Sequence, residues 1–140
     1  MDAASLLRWT AADLRQAAHA AHISRHDGPD AAASTACLSC HALVCPGWES
    51  LPVYFDQTRL ERVATLRAPD DESPTVEEFH PDGTHSWSAD APIAPDWFPY
   101  NRCDVWRCLT CRCLFLRYTE YGGYYVDERV REVRAELIPQ

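Results

Sequence analysis

Apolar positions change period several times along the chain, and each change marks a predicted element. Over 3–24, Ala, Leu, Arg and Gln dominate, and Leu7, Ala11, Leu14, Ala18 and Ala21 fall on one face at alternating steps of four and three. That spacing predicts an amphipathic helix. His19, His22 and His26 run along one side of it; with no acid or Cys beside them, they read as exposed histidines rather than a ligand set. "HDGPDAAASTA" (26–36) is a linker by composition. The division that follows is a helical N-terminal extension and linker over 1–34 and a β-rich domain over 35–140, the helix either docked or mobile.

Beyond the linker the pattern shortens. "GWESLPVYF" (47–55) begins extended. "DQTRLERVATLR" (56–67) puts Leu60, Val63 and Leu66 at helical spacing behind a capping Asp56, which favours a short helix over a strand. "TVEEFHPDGTHSWS" (75–88) reads as a β-hairpin, with turn chemistry at Pro81, Asp82 and Gly83 and apolar anchors at Phe79 and Trp87. Pro92, Pro95 and Pro99 make 89–102 irregular, pinned by Trp97, Phe98 and Tyr100. Residues 103–130 read as strand, cysteine turn, strand, Gly122–Gly123 turn and third strand. Val126, Val130, Val133 and Leu137 then fit a closing helix, with a continued strand as the alternative. The fold class expected is α+β and β-rich, with antiparallel hairpins behind an N-terminal helix.

Charge narrows the function. The formal net charge is -8, with no Lys among 13 basic residues. Residues 51–100 carry three Arg against ten acids, whereas residues 101–140 carry seven Arg against six. The acidic middle disfavours nucleic-acid binding, although the Arg-bearing C-terminal third leaves a local contact open. No apolar run approaches the roughly 20 residues that span a bilayer. Asp2 stands where a signal peptide would be basic, so the chain reads as cytoplasmic and not membrane-bound. Thiols stay reduced in that compartment, so seven cysteines point to metal or redox chemistry before disulfides.

Two stretches repeat one phrase. "CLSCHALV" (37–44) and "CLTCRCLF" (108–115) align Cys37 with Cys108 and Cys40 with Cys111, each second Cys preceded by a hydroxyl residue. Two residues between cysteines turn the chain tightly enough for both sulfurs to face one point. Two such turns supply the four sulfurs of a tetrahedral Zn²⁺ site, with iron the less favoured metal. Joining them closes a loop over residues 41–107, and structural zinc contributes about 10–16 kcal/mol of apparent binding energy in zinc-finger peptides.

The pair of C-x-x-C turns, the second running into a hairpin, resembles a zinc ribbon of the rubredoxin-like type. The likeness covers Cys37, Cys40, Cys108, Cys111 and the strands near them. It implies a structural metal on those four residues and names no single function. Where that family often places Pro and Gly around its knuckles, this chain has Leu38 and Leu109 after the first Cys, and His41 and Arg112 after the second. Gly at the latter place eases a positive φ.

Cys45, Cys103, Cys113 and His41 remain. The three cysteines read as spare buried thiols beside the knuckles, with a second site, His41 included, or exchange of ligands as alternatives; a strand beginning at Cys113 would turn that thiol away from Cys111's side. Tyr118, Tyr121, Tyr124 and Tyr125 surround the Gly-Gly turn, either pairing across strands or offering a binding surface with Arg117 and Arg129 beside it. The leading expectation is a small zinc-binding protein with a structural metal that recognises a protein partner, in one version an immunity-type protein binding a toxin. No catalytic residue is assigned, and no oligomeric state is implied. The rivals are a metal-dependent enzyme, needing an open metal position or a second site from His41, Cys45, His80, His85 or Cys113, and a nucleic-acid-binding ribbon.

Overall fold

In a computed structural model, the described residues are 7–26, 37, 39–43, 47–70, 72–85 and 88–139. They form an α+β fold of one α-helix and a five-stranded antiparallel sheet. The helix α1 spans Ala11–His26, and the strands are β1 (Glu49–Ser50), β2 (Leu60–Thr65), β3 (Asp104–Cys108), β4 (Leu114–Tyr121) and β5 (Val126–Glu132). The sheet order is β1-β5-β4-β3-β2. Strands β2 to β5 follow one another as a meander, and β1 lies on the outer edge of β5.

The helix starts later than the apolar pattern predicts. Thr10 and Asp13 form a reciprocal cap: the Thr10 N–H donates to Asp13 Oδ2 at 2.9 Å, and the Asp13 N–H donates to Thr10 Oγ1 at 3.2 Å. Upstream of that stop the backbone pairs with the end of β2, the Trp9 N–H donating to the Thr65 carbonyl at 2.9 Å. Leu7 is consequently exposed, while Leu14 and Ala18 are buried in the core, so α1 is docked. His19 is exposed, and the side chains of His22 and His26 lie outside the described residues, as do Cys45 and Trp87.

Residues 56–67 correct the helical expectation. Asp56 does cap, accepting from the Thr58 N–H at 3.0 Å, but it caps a single 3₁₀ turn over Gln57–Arg59. The chain then runs as β2 against β3 with a bulge between Arg62 and Ala64. The extra residue switches faces, so Leu60 packs on one side of the sheet and Ala64 and Leu66 on the other. A bulged strand buries residues at intervals that imitate a helix.

Nor do the described residues of 75–88 form a hairpin; they hold no strand, only a 3₁₀ turn over Pro81–Gly83 with Gly83 at φ 77°. Their hydrogen-bonding capacity goes to a different segment. The Phe98 N–H donates to the Glu77 carbonyl at 2.9 Å, Asn101 Nδ2 donates to the Thr75 carbonyl at 2.9 Å, and Phe79 stacks on Trp97. The irregular segment 89–102, with a cis Phe98–Pro99 bond, thus takes the partner role that a return strand would have had. At the C-terminal end the strand alternative holds: β5 continues to Glu132, and a 3₁₀ turn follows at Ala135–Leu137.

The sheet separates two apolar clusters. Leu114 and Leu116 of β4, with Val105 of β3, face α1 and residues 89–103. Phe115 of β4, Cys108 and Trp106 of β3 and Val130 of β5 face the opposite side, where the cysteines gather. Alternation along central strands, buried on both faces, therefore seats the cysteine cluster on a floor of Phe115, Leu60, Leu51 and Val130. Arg131, on the helix side, is fully buried; it donates to the Tyr100 hydroxyl, and its Nη2 donates to the Ala91 carbonyl at 2.9 Å.

Candidate metal centre

The β3–β4 turn builds the second knuckle. Cys108 ends β3, and two backbone bonds close the loop: the Cys108 N–H donates to the Cys113 carbonyl and the Arg112 N–H to the Cys108 carbonyl, both at 2.9 Å. Inside it, the N–H groups of Cys111 and Thr110 donate to the Cys108 sulfur, and the Cys113 N–H donates to the Cys111 sulfur. Arg112 takes φ 68°, a left-handed conformation that costs a side-chain-bearing residue on the order of 1–3 kcal/mol. It stands where rubredoxin-like knuckles often carry Gly.

The first knuckle reaches the same point by another route. After Cys40 the chain coils into a 3₁₀ turn, His41–Leu43, with the Leu43 N–H donating to the Cys40 carbonyl at 2.8 Å. His41 does not take a positive φ there. Leu43 is buried in the floor, while the His41 side chain is exposed and stands apart from the sulfur cluster. The twin phrases share their turns and then diverge, the first into a coil and the second into a strand.

The four sulfurs of Cys37, Cys40, Cys108 and Cys111 all lie within 4.8 Å of one another. Cys37 to Cys108 is 3.9 Å and Cys40 to Cys111 is 3.5 Å. Sulfurs at the corners of a tetrahedron, about 2.3 Å from a central ion, stand about 3.8 Å apart. The donor set fits that arrangement, and these cysteines could hold a metal ion. Arg59 links both knuckles to the start of β2: its Nη1 donates to the Ser39 carbonyl at 3.4 Å, and its own carbonyl accepts from the Leu109 N–H at 3.0 Å.

Electrostatics show the cost of packing the thiols together. Hydrogen bonds from the thiols of Cys113 and Cys40 and the N–H of Cys113 hold Cys111 far below the usual thiol range, against burial. Cys40 is pushed far up, first because its proton is shared with Cys111, then by burial and by repulsion from Cys111, Cys108 and Cys37. Burial also raises Cys108, against N–H donors from Cys111 and Thr110. Four thiolates cannot coexist at this spacing without a neutralising cation.

The remaining cysteines separate. Cys103 is wholly buried on the helix side, its thiol donating to the Pro99 carbonyl at 3.3 Å, and burial pushes it well up. It is a packed thiol remote from the sulfur cluster. Cys113 is a buried thiol beside the second knuckle, as expected: β4 begins one residue later, at Leu114, and Cys113 faces the cysteine side with its thiol on Cys111. It also lines a cleft of about 810 Å³ between α1 and the end of β5, together with Ala12, Ala18, His19, Val133 and Ile138. Sequence reasoning passed over Arg59. The hydroxyl shared by both phrases, at Ser39 and Thr110, was the signal available for the contact between the knuckles.

No helix among the described residues is long and apolar enough to cross a membrane. No protein-family model, curated protein or solved structure matches the chain.

Proposed function

We propose that this chain is a small zinc-stapled protein of the cytoplasm whose metal is structural and whose role is to recognise another protein. The observation that carries the proposal is the convergence of Cys37, Cys40, Cys108 and Cys111 within 4.8 Å. As ligands, these four residues fill a tetrahedral set and leave no position for a reacting water. The all-sulfur donor set suits zinc, with iron as the alternative metal. What such an ion supplies is cross-linking: it ties the chain before β1 to the β3–β4 turn over a shared apolar floor.

The recognition role is supported by the opposite end of the sheet. Tyr121, Tyr124, Tyr125 and Val126 at the β4–β5 tip are exposed, as are Val53 and Tyr54 in the turn after β1. Tyrosine brings amphipathic contact area at low entropy cost, and contiguous exposed apolar residues mark interaction sites. An immunity-type role, in which the acidic chain caps a toxin's basic face, is a narrower form of the same reading.

Elemental analysis with zinc K-edge absorption on the purified protein tests the metal half. The expected result is one zinc per chain with four sulfur neighbours. Nitrogen, oxygen or bound water in the first shell would replace this reading with that of a metal-dependent enzyme.

A further inference from the structure

The β4–β5 tip combines exposed aromatic rings with carboxylates that are already held in place. Glu120 pairs across strands with Asp127, and Thr119 with Glu128. Ser50 Oγ donates to Asp127 Oδ2 at 2.7 Å, and Thr119 Oγ1 donates to Glu128 Oε1 at 2.6 Å. Glu49, on the neighbouring edge strand β1, is exposed. Strand alternation puts Glu120, Asp127 and Arg129 on one face of the hairpin and Glu128, Arg117 and Tyr121 on the other, with one cation for each group. Arg129 is engaged by Glu120 at 2.8 Å and Asp127 at 3.2 Å. Arg117 is buried over the Trp106 ring, 4.0 Å from Glu128. The solvent-facing charge of the tip is therefore negative.

The same hairpin and the turn after β1 carry exposed rings. Tyr124 is fully exposed, and Tyr54 and Tyr121 are 93% and 79% exposed. Ser50 pairs with Arg129 and the Leu51 N–H donates to the Glu128 carbonyl, so the turn carrying Val53 and Tyr54 leaves the sheet beside this hairpin. Tyr125 is fixed by Gly122: its ring occupies the space that any Cβ at that glycine would fill, and the Gly122 N–H donates to the Tyr125 carbonyl at 2.8 Å. The glycine is what allows an aromatic ring to fold over the turn.

From this juxtaposition of exposed tyrosines and pre-positioned carboxylates, we propose that the tip docks an arginine- or lysine-bearing segment of a partner protein. The inference rests on the recognition role above and names the partner's chemistry. Charge decides among occupants. A second copy would bring like-charged rims together, and anionic lipid or nucleic acid would be repelled. A guanidinium or ammonium finds both a carboxylate and an aromatic face there.

The test is chemical-shift mapping of the full, metal-loaded chain with a capped alternating Arg-Ser dodecapeptide and its alternating Glu-Ser counterpart at low and moderate salt. The Arg peptide is expected to shift amides of 49–54 and 119–129, and the Glu peptide to leave them unmoved. E120Q combined with D127N and E128Q should weaken the Arg peptide about tenfold, and Y54S combined with Y124S, which keeps the charge, by about fivefold. All five side chains lie at the surface, and unchanged metal content and melting temperature verify each variant's fold. If the tyrosine pair does not matter, the effect is bare charge attraction and the inference falls. If both peptides bind the tip equally, the cation preference falls while the recognition role stands. If neither shifts the tip, the inference and the recognition role assigned to this surface fall together.

Discussion

Ser39 Oγ lies 2.8 Å from Thr110 Oγ1. Both residues precede the second cysteine of their knuckles, and both are exposed or half-exposed. Each of the closest pairs between knuckles, Cys37 with Cys108, Ser39 with Thr110 and Cys40 with Cys111, joins residues 71 apart in sequence. The repeat in the sequence is therefore a pairing in space: like residues of the two turns meet face to face.

That contact predicts coupled substitutions. Ser39→Ala and Thr110→Ala should each cost about 0.5–1.5 kcal/mol, and the double variant should cost less than their sum, because either one already breaks the bond. Urea unfolding of the metal-loaded chain measures the cycle. Strict additivity would show that the hydroxyls act separately.

Arg112 predicts a gain in stability. At φ 68° it is strained as any side-chain-bearing residue would be, so Arg112→Gly should stabilise by up to about 1 kcal/mol. Arg112→Val should destabilise by about 1–2 kcal/mol, because a β-branched residue fits that conformation worst. Thermal melting of the two variants should bracket the parent.

The α1 cap carries a pH dependence. The backbone N–H and the hydroxyl of Thr10, donating to Asp13, hold its carboxyl below the usual carboxylate range. A depressed pKa means that the contribution is complete above the unfolded value of about 3.9 and is lost as pH falls through the lower folded value. Asp13→Asn should therefore lower the melting temperature at neutral pH, and the gap to the parent should close below the folded pKa. A gap that persists at that acidity would show that the carboxylate charge is not what caps α1.

Arg131 predicts a large loss with an informative control. The side chain is fully buried, bonded to the Tyr100 hydroxyl and the Ala91 carbonyl. Arg131→Ala would leave these groups without their donor and open a cavity, at a cost of about 3–5 kcal/mol. Arg131→Lys keeps the charge but loses the fork and should recover only part of it. Guanidinium unfolding midpoints separate the three proteins.

The sulfur cluster was legible because its determinants are local: two C-x-x-C turns with a hydroxyl at one offset already contain the pairing. The β3–β4–β5 meander was legible for a similar reason, since the cysteine turn, the alternation and Gly122–Gly123 all lie in one continuous stretch of chain. What failed depended on distant partners. The bulge in β2 hides its period, and the fate of 75–85 is decided by donors and rings at 97–101, which no local pattern announces. Arg131 was not legible at all, because an arginine in a strand ordinarily marks the solvent face.

The most direct measurement is titration of the metal-free, reduced protein with Co²⁺, followed by thiolate-to-cobalt charge-transfer and d–d absorption. The account predicts tetrahedral four-thiolate bands saturating at one equivalent. Substituting Ser for Cys37, Cys40, Cys108 or Cys111 should alter the bands, and doing so for Cys103 or Cys113 should leave their positions unchanged. Saturation without tetrahedral thiolate bands, or bands that survive loss of any of those four cysteines, would contradict it.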